Sequence, residues 1–594
     1  MLVTNENFEE LLPQIENELK NCVFMAIDCE FSGLTAKNSL KNSLFDTNNE
    51  RYNKLKENMQ SFIPIQVGIS IFTFINQQNT YQSKTYTFYL LPRPFGFGGN
   101  ILSSTTTDGT MVSTPETYYL FQSTCIQFLC KYQFDFNKLF YKGINYMSIK
   151  QETEYKNQLN NCKHSIELIE SIPFIQNIQE SIPIEDETLL NTELKNILEW
   201  NQQQKKQSTI NTNEKYVIQN QYIVNNVQLM YLLKKEIKRR YKSSLSFVHD
   251  HEGGFVYVKL TEEETETNND KNIELELELI NKSIGFTKLY KLLTKYNQLK
   301  KPLVGHNLYL DVLIMYEHFN GTLPRTYNEF KLKIHEQLPN IYDTKYLSYQ
   351  LLKTNFIPKQ LQWNSNALNV LYTFFKDGKG RHIVFNSPII ESIQENMEND
   401  YEQSLNDFHD AGFDAYCTGY CFIRLAHIFV GVHYETMSIN KTITSIEHLS
   451  IINKYKNCLN LIRGNVSYIK LDGPDPTSDR PSWLYVKCKS NSNSLFINNP
   501  SVKQSNIKNI TDTLGKYGSI DVQMLNKNEA LVAVANQRCV NDILKQFKRQ
   551  RESEYIITKY NPIRHSPIIK TYLWGSGCVI TGGLIVWSLY RLVN

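Results

Sequence analysis

The sequence predicts an α/β fold interrupted by a helical insertion, followed by a smaller α+β unit and one apolar C-terminal helix. Three observations predict it. β-like runs alternate with helical periodicity toward both ends of the chain. A charged, amide-rich stretch separates two halves, neither with enough strands to close a sheet alone. An uncharged run lies near the C-terminus. At about 150 residues per domain, 594 residues exceed one core. Hydrophobic content of 41% with 21% charge excludes whole-chain disorder. The 63 basic and 60 acidic residues nearly cancel, so any nucleic-acid site must be local. The 11 cysteines include no C-x-x-C pair, which argues against a zinc module or disulfide framework and fits reduced thiols.

In chain order, "MLVTNENFEELLPQIENELKN" has a cap-like Thr4/Asn5 and apolar residues at helical spacing, without a basic n-region. It predicts a helix and not a signal peptide. "CVFMAID", "PIQVGISIFTF" and "KTYTFYLLP" predict strands of a meander, and the Gly/Ser/Thr-rich residues 96–116 a surface loop. Residues 151–282 read as helical, with "NQQQKKQSTINTNEK" as a disordered link, "LLKKEIKRRYK" as a basic helix and "TEEETETNNDKNIELELEL" as a solvated acidic run. From 283 to 440 a helix, the short strand "PLVGHN" and further helices complete the domain begun in 1–150. Residues 475–560 follow the β-α-β-β-α-β order of a split βαβ unit. Finally, "YLWGSGCVITGGLIVWSLY" carries no charge, lies between Lys570 and Arg591, and has aromatics near both ends. About 18 to 20 such residues predict a membrane span over 571–590; the rival, a buried helix, would show a polar face.

"FMAIDCEFSG" places two carboxylates in a strand. Residues i and i+2 share a face, so Asp28 and Glu30 project together while Cys29 faces away. Alone, that pair reads as structural. "GHNLYLDV" adds Asp311 one helical turn after Asn307, and "HDAGFDAYCTGYCFIRLA" adds His409 five residues before Asp414 at the entry of an apolar helix. Were these four carboxylates to converge, they could not all ionise unless cations neutralised them, and hard oxygen ligands select Mg²⁺ or Mn²⁺. Two such ions suit an in-line phosphodiester displacement, and a histidine of ordinary pKa about 6.5 suits proton abstraction.

The segments "AIDCEFSGL", "FDTNNERYNKLK", "FDFNKLF", "VGHNLYLDV", "YDTKYLS" and "HDAGFDAYCTGYCFI" resemble the DEDD exonuclease superfamily, histidine subtype, and within it the poly(A)-specific ribonuclease family. The resemblance implies an RNase H-like mixed-sheet exonuclease domain and 3′-to-5′ hydrolysis of single-stranded RNA to nucleoside 5′-monophosphates. It assigns Asp28, Glu30, Asp311 and Asp414 as ligands of two Mg²⁺ or Mn²⁺ ions and His409 as general base. Phe31 and Leu34 would pack on the terminal nucleotide, although Phe31 reads equally well as core, and Ser32 and Gly33 would allow close backbone approach. His306, Asn307 and Lys345 would contact phosphate or base, Lys345 matching a poly(A)-contacting lysine. Asp343 reads as a structural hydrogen-bonder. A homodimer is implied by resemblance alone.

Two features depart from that family. The insertion lacks the Arg-x-x-x-His signature of its nucleic-acid module. The split βαβ unit resembles an RNA-recognition motif, but "EALVAVA" lacks stacking aromatics and leaves only Tyr485 as a remnant. The apolar tail resembles the tail-anchored branch, poly(A)-specific ribonuclease-like domain-containing proteins, which trim small-RNA precursors such as those of piRNAs. This implies a cytosol-facing membrane, endoplasmic reticulum or mitochondrial outer membrane, and a membrane-bound RNA-processing partner. Poly(A) tails and small-RNA precursors both remain open as substrates. The rival readings are a catalytically silent RNA-binding scaffold tethered to a membrane and a DNA exonuclease of the same superfamily.

Overall fold

The computed structural model describes residues 1–92, 119–161, 184–206, 215–241, 245–250, 255–260, 283–393, 408–478, 480–489, 500–526, 528–549 and 554–566, with isolated residues 277, 280, 281, 569, 571, 572, 581 and 587. They form two compact units. Met1–Ala36, Lys56–Arg325 and Glu329–Cys458 make the first; Lys37–Leu55, Thr326–Asn328 and Leu459–Asn594 make the second.

The first unit is built on β1 (Leu2–Val3), α1 (Phe8–Asn21), β2 (Phe24–Phe31), β3 (Pro64–Ile75), β4 (Thr80–Tyr89), α2 (Ser123–Lys131), α3 (Ile184–Lys206), β5 (Lys215–Val217), α4 (Val227–Tyr241), β6 (Leu245–Asp250), β7 (Phe255–Leu260), β8 (Leu303–Gly305), α5 (Tyr309–Met315), β9 (Ile341–Asp343), α6 (Thr344–Lys353), β10 (Ile389–Ser392) and α7 (Ala411–Tyr434). Its main sheet runs β1-β4-β3-β2-β8-β9, with β10 also on β4. Strands β2, β3 and β4 form the antiparallel meander, whereas β8 and β9 join parallel to β2, so the sheet is mixed. The N-terminal helix is displaced from its expected cap. Asn7 holds the cap position without a side-chain cap bond, and its Oδ1 accepts from the Thr4 N–H (2.8 Å).

Helix α7 packs against β2, β3 and β4 and is buried over nearly its whole length. Phe24 and Phe72 of the sheet stack at 4.7 Å, and Tyr416, Tyr420 and Phe422 of α7 share their core with Leu347 and Leu351 of α6. Among the described residues α7 is the one helix long and apolar enough to cross a membrane, but its apolar window is 94% buried in this core. The span expected at 571–590 lies outside the described residues except at 571, 572, 581 and 587, as do the whole of the 96–116 loop and most of the acidic run.

The insertion corrects the sequence reading. Besides helices α3 and α4 it contains an antiparallel sheet in the order β5-β7-β6. β5 spans only three residues and β6 and β7 six each, too short for period-2 alternation to outweigh flanking helical patterns. Ile197, Leu229, Leu233, Ile237 and Val258 form a local core that fixes these helices to the sheet. Part of the expected disordered link is also helical, since α3 continues to Lys206; residues 207–214 lie outside the described set.

In the second unit, β11 (Leu484–Cys488), α8 (Pro500–Leu514), β12 (Ile520–Met524), β13 (Glu529–Val534), α9 (Gln537–Arg549) and β14 (Tyr555–Lys559) form an antiparallel sheet ordered β12-β13-β11-β14. This is split βαβ topology. Leu484, Val486, Val532 and Val534 face Ile510 and Leu514 of α8 and Val540 and Ile543 of α9. The opposite face is also covered. His565 stacks on Tyr485 at 4.1 Å with a 6° interplanar angle, and Asp521 accepts from the Leu44 N–H (2.6 Å) and pairs with Arg463 (2.6 Å). Tyr485 therefore already carries an intramolecular partner where the sequence suggested a base-stacking remnant. Arg51, from "FDTNNERYNKLK", is buried here and donates to the carbonyls of Ser43 (2.9 Å), Ile462 (3.2 Å) and Arg463 (2.5 Å), which makes it a fastener of the unit.

Candidate active site

Strand β2 supplies the first two acids. Asp28 lies opposite Gly68 and Glu30 opposite Gln66 of β3, and the register shifts between Glu30 and Phe31, so that Phe31 pairs with Pro64. That bulge ends the simple alternation that sequence reasoning applied to Phe31, which is half-buried. The next two residues are structural. Ser32 is buried, its Oγ accepting from the Ile63 N–H (3.0 Å), and a Cβ on Gly33 would run into the Phe62 ring. Any side chain larger than glycine's at position 33 would therefore displace Phe62. Leu34 presents an exposed side chain.

Asp311 arrives in the first turn of α5. Strand β8 pairs with β2 only through Met25 and Ala26, so beyond them the edge of β2 is open, and Asp311 takes hydrogen bonds from the Cys29 backbone and thiol.

Asp414 and His409 come from the start of α7, which is tied down by Asp410. Oδ1 of Asp410 accepts from the N–H groups of Gly412 (3.0 Å) and Phe413 (3.2 Å) and from Thr87 Oγ1 (3.1 Å). Gln66 bridges from β3, donating to Asp410 Oδ2 (3.2 Å) and accepting from the Ala411 N–H (2.9 Å). The backbone N–H of His409 donates to Asp414 Oδ2 (3.1 Å), with His409 held at φ +74° in the left-handed region. Its ring packs against Phe128 (4.7 Å) and Tyr132 (4.1 Å). Gln66, Thr87, Phe128 and Tyr132 carry no local sequence signal; Asp410, a capping aspartate ahead of an apolar helix, is the one legible clue among these neighbours.

The site crowds like charges. Burial raises the Asp28 carboxyl far above the ordinary range, and Asp414, Asp311 and Glu30 raise it further. Burial does the same to Glu30, with Asp414 and Asp311 adding. Asp311 and Asp414 are each pushed up to about 7, chiefly by burial, against the pull of hydrogen bonds from their own surroundings. Burial and then Lys131 lower His409, which keeps its imidazole neutral at pH 7.

The donor set fits hard divalent cations. Glu30, His409 and Asp414 bring potential ligand atoms within 4.8 Å of one another, and Oδ1 of Asp414 is buried with no hydrogen-bond partner among the described residues. Asp410, by contrast, spends Oδ1 on the helix start and Oδ2 on the Gln66 amide. A pH effect follows. Asp311 and Asp414 have folded pKa values near 7, above an unfolded value of about 3.9. Their contribution to the metal-free fold is thus complete below about pH 4 and lost as pH rises through 7. Cations bind the deprotonated carboxylates, so the rise in Tm on adding Mn²⁺ should be larger at pH 8 than at pH 6. A pH-independent rise would contradict this electrostatic picture.

The other predicted contacts gather at the ends of β8 and β9. His306 Nδ1 lies 2.9 Å from Thr344 Oγ1, and burial, with Lys345 adding, lowers the ring to about 3. Burial also lowers Lys345. Asn307 is left-handed (φ +60°), and buried Asp343 accepts from the N–H groups of Asn307 (3.0 Å), Leu308 (3.1 Å), Lys345 (2.9 Å) and Tyr346 (3.2 Å). Asp343 thereby joins the loop before α5 to the start of α6. Asp343→Ala strands four donors and should cost about 3 to 5 kcal/mol in urea unfolding; a loss below about 1 kcal/mol would mean that water replaces them.

The CAF1 family ribonuclease model matches residues 3–422. The chain is 32% identical over 600 residues to the pre-piRNA 3′-exonuclease trimmer of Bombyx mori, covering 100% of this chain and 99% of that protein. It is 26% identical to the poly(A)-specific ribonuclease PARN of Xenopus laevis (94% and 82% covered) and 25% identical to the poly(A)-specific ribonuclease PNLDC1 of Mus musculus (100% and 99% covered). Among solved structures, S. pombe Pop2p, determined with Mg²⁺ and Mn²⁺ bound, aligns at 15% identity with a TM-score of 0.17, over 40% of this chain and 92% of that one. The mixed sheet with its covering helices is the RNase H-like arrangement of this family. On the family match and the full-length similarity, the chain belongs to the CAF1 family of ribonucleases and is a 3′-to-5′ exoribonuclease.

Proposed function

We propose that the chain trims the 3′ ends of single-stranded small-RNA precursors, with Asp28, Glu30, Asp311 and Asp414 holding two Mg²⁺ or Mn²⁺ ions and His409 serving as general base. The carrying observation is the cluster of Glu30, His409 and Asp414 beside an unpartnered carboxylate oxygen. When bound, the cations neutralise the crowded carboxylates and polarise the scissile phosphodiester. The neutral His409 imidazole accepts the proton of the attacking water, and the bond from phosphorus to the 3′-oxygen breaks to release a nucleoside 5′-monophosphate. In this reading Leu34 and Phe31 pack on the terminal nucleotide, while His306, Asn307 and Lys345 contact phosphate or base. The substrate choice is supported by 32% identity along 99% of the Bombyx pre-piRNA trimmer, against 26% identity along 82% of Xenopus PARN. The apolar residues 572–590 support a membrane anchor that brings the enzyme to a membrane-bound RNA-processing partner.

The test uses the full chain with Mn²⁺ and matched RNA and DNA oligonucleotides bearing free or phosphorylated 3′ ends. Mononucleotide release from RNA with a free 3′-hydroxyl is expected. Equal rates on DNA would defeat the RNA assignment, and binding without release would favour the silent scaffold. His409→Ala should slow release by about 10²- to 10⁴-fold. Removing the residues after Pro567 should free the protein from membranes without lowering its rate; continued membrane association would defeat the anchor.

A further inference from the structure

Helix α2 touches both halves of the site. Ahead of its first residue stands Gln122, whose backbone N–H donates to the Ser32 carbonyl (2.8 Å). Its Oε1 accepts from the N–H groups of Leu34 (2.9 Å) and Thr35 (3.1 Å), and its Nε2 donates to Thr124 Oγ1 (3.0 Å). One residue therefore fastens, at three points, the turn that follows the Asp28–Glu30 strand and presents the exposed Leu34. Six residues further along the chain, about 9 Å at helical rise, Phe128 packs edge-on to the His409 ring, and Tyr132, just past the end of α2, packs closer still at 4.1 Å.

His409 needs such support. Its left-handed backbone is a conformation that a non-glycine residue keeps only where its surroundings impose it. The backbone bond to Asp414 fixes the main chain but leaves the imidazole free to rotate about its side-chain bonds. Of the ring contacts to His409 in the described residues, those with Phe128 and Tyr132 come from this one stretch, and the segment from 122 to 132 is continuous in chain and structure.

We infer that the 122–132 segment is a positioning element of the nuclease site: Gln122 sets the Leu34 turn against the terminal nucleotide of the RNA, while Phe128 and Tyr132 set the orientation of the His409 ring. The inference rests on the exoribonuclease reading with His409 as base, and it assigns the two ends of the segment different kinetic signatures. The turn contacts the nucleotide in ground and transition states alike, so loosening it weakens binding. The ring acts only when the proton moves, so loosening it slows turnover.

The experiment measures mononucleotide release by the full-length protein with Mn²⁺ on a single-stranded RNA, in wild-type and His409→Ala backgrounds. Gln122→Met keeps the side chain's length but removes the acceptor; it should raise KM about tenfold and change kcat less than about threefold in both backgrounds. Tyr132→Leu should lower kcat about tenfold in wild type, and by less than about twofold once His409 is gone, because residues that act through one group are not additive. Tyr132→Phe, which keeps the ring, should restore kcat, and Gln122→Glu, which keeps the acceptor oxygen, should restore most of KM. Thermal unfolding is followed in parallel, and a destabilised variant is judged by its restoring partner. An unchanged KM in Gln122→Met, or an equal kcat loss for Tyr132→Leu in both backgrounds, overturns the inference. Wild-type protein that releases no mononucleotide overturns the exoribonuclease reading instead, so the two failures are distinguishable.

Discussion

Asp414→Asn should abolish turnover, by at least about a thousandfold, while making the metal-free protein more stable. Both directions come from one carboxylate. Its Oδ2 accepts the His409 N–H, a bond that an amide oxygen can also accept, so the helix start keeps its shape. Its Oδ1 is buried without a hydrogen-bond partner among the described residues, and its charge raises Asp28 and Glu30 beyond what their burial does. Removing one charge relieves that repulsion in the metal-free state and weakens cation binding. At about 1.4 kcal/mol per factor of ten, losing about 4 kcal/mol of transition-state stabilisation accounts for the thousandfold fall. Release rates with Mn²⁺, read beside thermal unfolding in a chelator, check both. Near-normal turnover would remove Asp414 from the metal site, and a lower Tm in the chelator would show that the carboxylate does structural work instead.

Gly68→Ala should be nearly as damaging, although Gly68 carries no chemistry. Gly68 lies opposite Asp28 in the β2–β3 register, and a Cβ there would run into the Ala411 carbonyl and the Gly412 nitrogen. Those are backbone atoms at the first turn of a helix and cannot rotate away as a flexible side chain could. The methyl must push the start of α7, and with it His409 and Asp414, off the strand that holds Asp28 and Glu30. Overpacking of this kind costs about 1 to 3 kcal/mol, and a backbone neighbour argues for the upper end. A shift of about 1 Å between positioned groups costs on the order of a hundredfold in rate. Urea unfolding and the rate of mononucleotide release measure the two effects. Wild-type values for both would mean that the helix does not seat against Gly68.

Some of this was legible in the sequence and some was not. Period-2 alternation put Asp28 and Glu30 on one face, and the order of strands and helices between 475 and 560 read directly as split βαβ. Asp311, His409 and Asp414 could be joined to that pair only through resemblance, since no local period connects segments hundreds of residues apart. The insertion was read as helical because its strands are short and its helices charged. The packing of Phe62 against Gly33 has no local sequence signal, because the ring comes from another part of the chain.

The sequence by itself determined the charges, the side of the strand on which two of them fall, and the helix into which Asp410 and Asp414 lead. Only the tertiary structure decided which of those two is spent. Gln66 from β3 and Thr87 from β4 join the helix's own N–H groups in binding Asp410, whereas Asp414, one turn further on, keeps a buried oxygen unpaired. The physical reason is that hydrogen-bond satisfaction belongs to neighbours in space: the same carboxylate becomes a helix cap or a candidate metal ligand according to the donors that the sheet brings to it.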